Sequence, residues 1–433
     1  MKAGSWILLV AFIGATAFAE NSRAVRPGIV LPPATVDNNA SCDIGTFPAA
    51  TLLLPYFEVE ARKHVNDAGN TIFSVINTSR QPQIARVTIW TDYGYPALWF
   101  NLFLTGYGVS SISLYDVIAN GKLPETSSSA QVGSRSRPND ANPNIVSLDD
   151  CTALGGPLPQ TTVDSLIALL TSGTAEGECH YGGDHPMAVG YVTIDVVNSC
   201  SKISPLDPAY YAKTLLFDNV LTGDYERVVP DKSIGNYAGG NPLVHIRAIP
   251  EGGPAGVVTT GLPYTFYDRM TPAAARHIDR RQPLPSTFAA RYIEGGTAAF
   301  HTEYTMWREA ATSAAAGCVA ANASVPYVSI VRYDEYENPT VGSGARAFPV
   351  AAAAATTSSA FPPRVGVSVS GWMFLELDNR AGVSASSPFS VPRPSQNWIV
   401  IKMQAEGRYG VEYDATSIGN GCTNPMGQIG VSK

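Results

Sequence analysis

The sequence carries little charge for its length. Asp, Glu, Lys and Arg make up 15% of its 433 residues, with a formal net charge of −7, against roughly 25% charged residues in ordinary soluble domains. A nucleic-acid partner requires a concentrated basic face, and this balance argues against one. Beyond the N-terminus no stretch reaches the ~20 uninterrupted apolar residues of a membrane-spanning helix. The common catalytic signatures are missing too: there is no G-x-S-x-G, no H-E-x-x-H, no P-loop, no C-x-x-C and no C-x-x-C-H. Those gaps weigh against the commonest hydrolase families and argue against thiol oxidoreductases, classical zinc modules and c-type haem proteins. A glycosidase stays open, because its two carboxylates have no fixed local spacing.

Cysteine is scarce but even in number: Cys42, Cys151, Cys179, Cys200, Cys318 and Cys422. In an exported chain an even count points to disulfides. Cys179 and Cys200 flank the expected strand Ala188–Val197, which at about 3.3 Å per residue holds them apart. A bridge needs Cα atoms within roughly 7 Å, so this spacing favours Cys151–Cys179 around a small helix.

The N-terminus supplies the first positive signal. Lys2 precedes the apolar core Trp6–Ile13, and Ala17-Phe18-Ala19 has the small-x-small form of a cleavage site. Residues 1–19 therefore read as a signal peptide, with the mature chain starting at Glu20 and residing outside the inner membrane: extracellular, cell-surface or periplasmic. Residues 20–44 have no amphipathic period and include Pro27, Pro32 and Pro33, which describes an extended arm. Within it Gly28-Ile29-Val30-Leu31 is a short apolar run suited to pairing with an open sheet edge.

Gly (39) and Pro (32) are abundant, and with Thr, Val and Tyr they favour short strands joined by turns. Thr51–Val59 reads as a buried strand, while Thr71–Asn77 and Ile84–Thr91 alternate, punctuated by Asp67-Ala68-Gly69-Asn70 and Pro82. Further strands are expected over Asn101–Tyr107, Ser111–Val117, Ala188–Val197, Leu243–Ala248, Tyr327–Tyr333, Gly366–Leu377, Trp398–Ala405 and Gly410–Asp414, the second of them fraying into a turn near Asp116. Val163, Leu166, Ile167 and Leu170 keep helical spacing over Thr161–Leu170. Asp207-Pro208 opens a short helix toward Leu216, and Val350–Ala360 reads as a low-complexity loop. The pattern predicts a mainly β chain of two sandwich-like antiparallel domains, Ig-like or jelly-roll-like, with a few short helices in the connections. The first domain spans 45–265, with a helical insertion near 161–172, and the second spans 285–433.

Several segments are familiar in combination: LVHIRAIPEG from Leu243, RRQPLPSTFAARYIEGG from Arg280, GWMFLELDN from Gly371, and QNWIVIKMQAEGRYGVEYDA from Gln396, ahead of GNGC at Gly419–Cys422. In this order they resemble a group of exported bacterial β-rich proteins with no assigned activity. The resemblance spans most of the mature chain and implies export. It transfers no functional residue.

Three clusters carry candidate chemistry. In Cys179-His180-Tyr181-Gly182-Gly183-Asp184-His185, the side chains of His180, Asp184 and His185 offer imidazole and carboxylate ligands to a transition metal, and the Gly pair lets the loop fold back. The plainer alternative is a disulfide cysteine beside a turn. Asp334, Glu335 and Glu337 form an oxygen-rich group after a strand, which suits calcium; the EF-hand order is missing, and acidic hairpin ends are usually just solvated. Trp90, Tyr93, Tyr95 and Trp99 surround a Tyr-Gly-Tyr-Pro turn and would present rings to a sugar or a protein, unless strand alternation turns them into the core. No His stands beside a Ser or Cys nucleophile, so no catalytic residue is assigned.

These features favour a non-enzymatic surface or extracellular protein with a binding or structural role. Its partners would be other surface proteins, glycans or copies of itself. The alternatives are a subunit of an extracellular polymer assembled by strand addition through Ile29, Val30 and Leu31, or a secreted glycan-active hydrolase. Fold alone does not choose among them, since sandwiches host all three. No cofactor is expected, with calcium or a transition metal the exceptions that the two polar loops would allow.

Overall fold

Strand alternation separates the inner layers of this protein from the outer ones. β1 (Thr51–Val59), β3 (Gln83–Thr91) and β6 (Ala188–Val197) are buried along nearly their whole length, whereas β2 (Asn70–Asn77) and β10 (Thr287–Glu294) alternate buried and accessible positions. A strand covered on both faces lies inside a stack of sheets; one that alternates faces solvent on one side. The computed structural model describes residues 47–124, 157–174, 180–230, 237–249, 265–267, 270, 279–295, 300–309, 325–326, 329–341, 347–348, 352–356, 369–377, 396–405 and 409–419.

The chain is mainly β, and its described strands pair antiparallel throughout. Sheet I has the order β4 (Pro96–Leu104), β3, β6, β1, β9 (Val244–Ile246), and sheet II the order β5 (Val109–Ser113), β2, β7 (Leu221–Val229), β8 (Tyr237–Pro242). Sheet III runs β14 (Pro339–Val341), β13 (Ser329–Asp334), β17 (Val369–Glu376), β10, β20 (Thr416–Gly419). Sheet IV runs β16 (Ala352–Thr356), β11 (Phe300–Arg308), β18 (Asn397–Ala405), β19 (Tyr409–Asp414). A two-stranded pair, β12 (Val325–Pro326) and β15 (Ala347–Phe348), completes the set.

One face of sheet I supplies Leu52, Leu54, Val87, Ile89, Val192 and Ile194 to a core shared with Phe73, Val75, Ile112 and Tyr225 of sheet II. Its other face supplies Leu53, Trp90 and Tyr191 to a second core that continues through Met306, Trp307, Trp398 and Ile399 of sheet IV to Phe288, Tyr292 and Leu375 of sheet III. Full burial of each such side chain contributes about 1.5–3 kcal/mol. Pro55 interrupts β1, and the register against β6 shifts between Leu54 and Phe57. Before that bulge the even-numbered residues face sheet II; after it Phe57 and Val59 do. The shift accommodates a proline in a central strand and keeps apolar side chains on both faces.

A buried polar hub ties distant segments together. Asp195 on β6 accepts hydrogen bonds from the Thr51 hydroxyl at 2.6 Å, from Tyr210 at 2.7 Å and from Tyr267 at 2.9 Å. Arg281 donates to Thr51 Oγ1 at 2.5 Å, to Asp279 at 3.0 Å and to the Leu216 carbonyl at 2.9 Å. Burial raises the Asp195 pKa, with the Arg281 charge and the three hydroxyl donors working against that rise.

Several elements depart from the sequence reading. Ser111–Val117 was expected as a strand, but β5 stops at Ser113, whose hydroxyl accepts the Asp116 N–H and starts helix α1 (Leu114–Asn120). This is a capping arrangement, S-x-x-D, that outweighs the local strand pattern. The tract at 350–360, expected as a loop, contributes β16, which pairs with β11 despite its alanines. β7, β8 and β10 were not anticipated; β7 alternates around exposed Asp224 and Glu226. The helix expected at 161–170 is α2 (Gln160–Ser172), and Asp207 precedes a π-helical turn at Tyr210–Thr214. The arm at 20–44, with Ile29, Val30 and Leu31, lies outside the described residues. Cys200 is buried and disulfide-bonded, while Cys42, Cys151, Cys179, Cys318 and Cys422 lie outside the described residues. Among the described residues no helix is long and apolar enough to cross a membrane.

Candidate functional site

Two of the clusters singled out in the sequence meet in space. β3 ends at Thr91, and the chain turns through Asp92, Tyr93 and Gly94, the last at φ 78°. The Thr91 hydroxyl organises this turn: it accepts the N–H groups of Tyr93 and Tyr95 and donates to the Tyr181 carbonyl at 2.6 Å. Against it lies the 180–187 loop, which α2 positions through Gly173 O, bonded to Tyr181 N–H at 2.7 Å, and Thr171 O, bonded to His185 N–H at 2.6 Å. Asp92, nearly buried, accepts the Gly183 N–H at 2.9 Å and pairs with His185 Nε2 at 2.8 Å. A Cβ on Gly183 would stand 2.6 Å from that Nε2, and one on Gly173 would stand 1.9 Å from the Gly182 carbonyl oxygen. The glycines let the loop close onto the turn.

The electrostatics follow from this geometry. The Asp92 hydrogen bond raises the His185 pKa, with partial burial opposing it, and leaves the imidazole side chain 32% exposed. Burial raises the Tyr93 and Tyr95 phenols, and Tyr95 stacks on Tyr181 with ring centroids 4.1 Å apart. Of the expected metal set, His185 engages Asp92 while His180 and Asp184 are exposed. No group of three or more His, Cys, Asp or Glu able to hold an ion is gathered among the described residues. At the β13–β14 turn Asp334 accepts N–H groups of Tyr336 and Asn338, Glu335 bonds the Ser370 hydroxyl, and Glu337 sits at φ 62°. Asp334 thus closes its own turn.

The aromatic expectation needs one correction. Trp90 does not face a ligand: it is 2% exposed, stacks on Tyr191 at 5.7 Å and donates its indole N–H to Thr193 at 2.8 Å. β3 is an inner strand, so its ring is core. Trp99, half-buried on β4, lies 5.8 Å from the Arg86 guanidinium.

Tyr336, Phe47 and Tyr107 are exposed outside the strands, and on the described strands the exposed rings are those of sheet III. Phe288, Ala290, Tyr292, Met373 and Leu375 point to the core, so the alternate positions face outward. In one cross-strand row Tyr333 of β13 pairs with Trp372 of β17, which pairs with Arg291 of β10. Trp372 is 52% and Tyr333 39% exposed, and Arg291 is exposed beside them. Gly371 builds the row: its missing Cβ would lie 1.9 Å from the Tyr333 carbonyl oxygen, which also accepts the Tyr292 hydroxyl at 3.0 Å. Arg291 and Trp372 escaped the sequence reading. The alternation of Phe288, Ala290 and Tyr292 could have exposed Arg291; Trp372 sits in Gly-Trp-Met-Phe-Leu, apolar on both faces, and carries no such signal.

No protein family, curated protein or solved structure matches this chain.

Proposed function

We propose that this is an exported, non-enzymatic binding protein of the cell surface or extracellular space, with its ligand on the outer face of sheet III. The observation that carries this reading is the pairing of Trp372 and Tyr333, both exposed, in one row of a solvent-facing sheet. Large rings left accessible side by side are a favourable platform for sugars or protein side chains. The Asp92–His185 pair supports the non-enzymatic part: the Thr91 hydroxyl beside it is engaged in holding the turn and the Tyr181 carbonyl. Binding to a panel of immobilised glycans should fall at least tenfold in Trp372→Ala, and in Tyr333→Ala, with the melting temperature nearly unchanged. Undiminished binding by both variants would overturn the reading.

A second reading, assembly by strand addition, draws on β5. This edge strand of sheet II borders a groove of about 510 Å³ lined by Val109, Ile112, Asp116, Lys122 and Leu123. The run Ile29-Val30-Leu31 of another copy would pair with such an edge. Deleting residues 20–40 should then leave a folded monomer where the full chain assembles; a full chain that is monomeric at all concentrations ends this reading.

A further inference from the structure

We infer that the outer face of sheet III takes an acidic polysaccharide, one whose sugar rings carry carboxylates. This rests on the binding reading above and names its ligand. The row Tyr333–Trp372–Arg291 crosses three neighbouring strands, each about 4.8 Å from the next. That step is close to the length of one sugar unit. A chain laid across the strands would put successive rings on Tyr333 and Trp372 and bring an acidic substituent to Arg291. The Arg291 guanidinium is exposed and has no carboxylate partner among the described residues. A planar guanidinium binds a carboxylate through two parallel hydrogen bonds, which gives orientation as well as attraction.

Size and charge favour a narrow anionic chain over a protein. A stable protein interface buries about 800 Å² on each partner, whereas this row is three residues wide, flanked on the same face by Ser370 on one side and by half-buried Phe374 together with Ala289 and Thr416 on the other. Ala289 and Thr416 leave room for sugar hydroxyls near Arg291, while Glu335, which accepts the Ser370 hydroxyl, keeps the acidic side chain at the opposite, Tyr333 end of the row. The protein's net charge of −7 opposes indiscriminate adsorption of anions. An acidic ligand therefore has to be drawn by a local cation, and Arg291 is that cation in this row.

Affinity electrophoresis and calorimetry of the full chain with polygalacturonate, and with the same polymer fully methyl-esterified, test the inference. Polygalacturonate should bind about tenfold more tightly than the ester, and added salt should erase the difference. Arg291→Gln should bind both polymers equally, Arg291→Lys should keep part of the preference, and Trp372→Ala should lose both. Equal, Trp372-dependent binding of the two polymers by the wild type would overturn the acidic preference while leaving the binding reading intact. Absence of any polygalacturonate binding would also overturn it. Binding that persists in Trp372→Ala would place the ligand off this face and sink both.

Discussion

Replacing Asp414 with Asn should stabilise the protein at neutral pH. Asp414 lies on β19 opposite Val400, and one of its oxygens accepts the Trp398 indole N–H at 3.0 Å. Burial pushes its pKa up to about 6, the charge of Glu412 adds to the rise, and the indole hydrogen bond opposes it. An unfolded aspartate titrates near 3.9, and each unit of difference corresponds to about 1.4 kcal/mol. At pH 7.5 the folded protein thus carries an ionised carboxylate that it would rather hold neutral, at a cost of up to about 3 kcal/mol. As pH falls through 6 toward 4 the folded state takes up a proton before the unfolded state does, so stability rises over that window. Asn keeps an acceptor for the indole and removes the charge. Allowing for partial solvent access and a weaker hydrogen bond, Asp414→Asn should gain about 1–2 kcal/mol at pH 7.5 and little at pH 4. Urea denaturation of both proteins between pH 4 and 8 measures the gap directly. Other groups with shifted pKa values, among them His185 and Glu412, also shape the wild-type curve, which is why the difference between the two proteins, and not the wild-type curve, is the readout. A variant less stable at pH 7.5, with the same pH slope as the wild type, would refute the argument.

Three further outcomes follow from contacts already described. Asp92→Ala strands the Gly183 N–H and the His185 ring, costing about 1–3 kcal/mol, and by NMR titration the His185 pKa should fall. In the wild type the contribution of this pair is fully present below the ordinary histidine value of about 6.5 and disappears as pH rises through the elevated one, so limited proteolysis of the 180–187 loop should increase toward alkaline pH. Gly371→Ala forces a Cβ against the Tyr333 carbonyl, separating β13 from β17; both the melting temperature and glycan binding should drop, and a neutral effect would mean the strands have slack. Arg281→Ala leaves Asp279 and Asp195 without their buried cation and should cost about 3–5 kcal/mol, read as a lower urea midpoint or loss of soluble protein.

Where one face of a strand meets solvent, the sequence was easy to read. Asn-Thr-Ile-Phe-Ser-Val-Ile-Asn alternates, and β2 begins within a residue of the expected position. α2 was found from Val163, Leu166 and Leu170, all buried. Short-range rules misled where a longer-range contact decided the outcome: the alanines of β16 form a strand because β11 offers an edge, and Ser113 stops β5 because its hydroxyl caps α1. The site was legible only in parts. Both the Tyr93–Tyr95 turn and the 180–185 loop stood out by composition, but Asp92 and His185 are 93 residues apart in the chain. Nothing local to either announces that they touch.

The two tryptophans show why residue type alone cannot place a binding surface. Trp90 and Trp372 both sit in strands whose neighbours are largely apolar, yet one is core and the other half-exposed. The difference lies in the order of the layers. Sheet I is covered by sheet II on one side and by the second core on the other, so every ring on β3 is enclosed. Sheets II and III each keep a face toward solvent, and they spend it differently. On sheet II the cross-strand partners Ser74 and Asp224, and Ile72 and Glu226, make a face dominated by charge and hydroxyls, as solvation requires. On sheet III the corresponding positions hold Tyr333, Trp372 and Phe374, with Arg291 as the exposed cation. Rings of that size gain little for the fold by facing water, and the core positions beneath them are already filled by Tyr292, Met373 and Leu375. Their exposure fits the binding role proposed for this face, and the only sheet face with that character among the described residues is the one bearing Trp372.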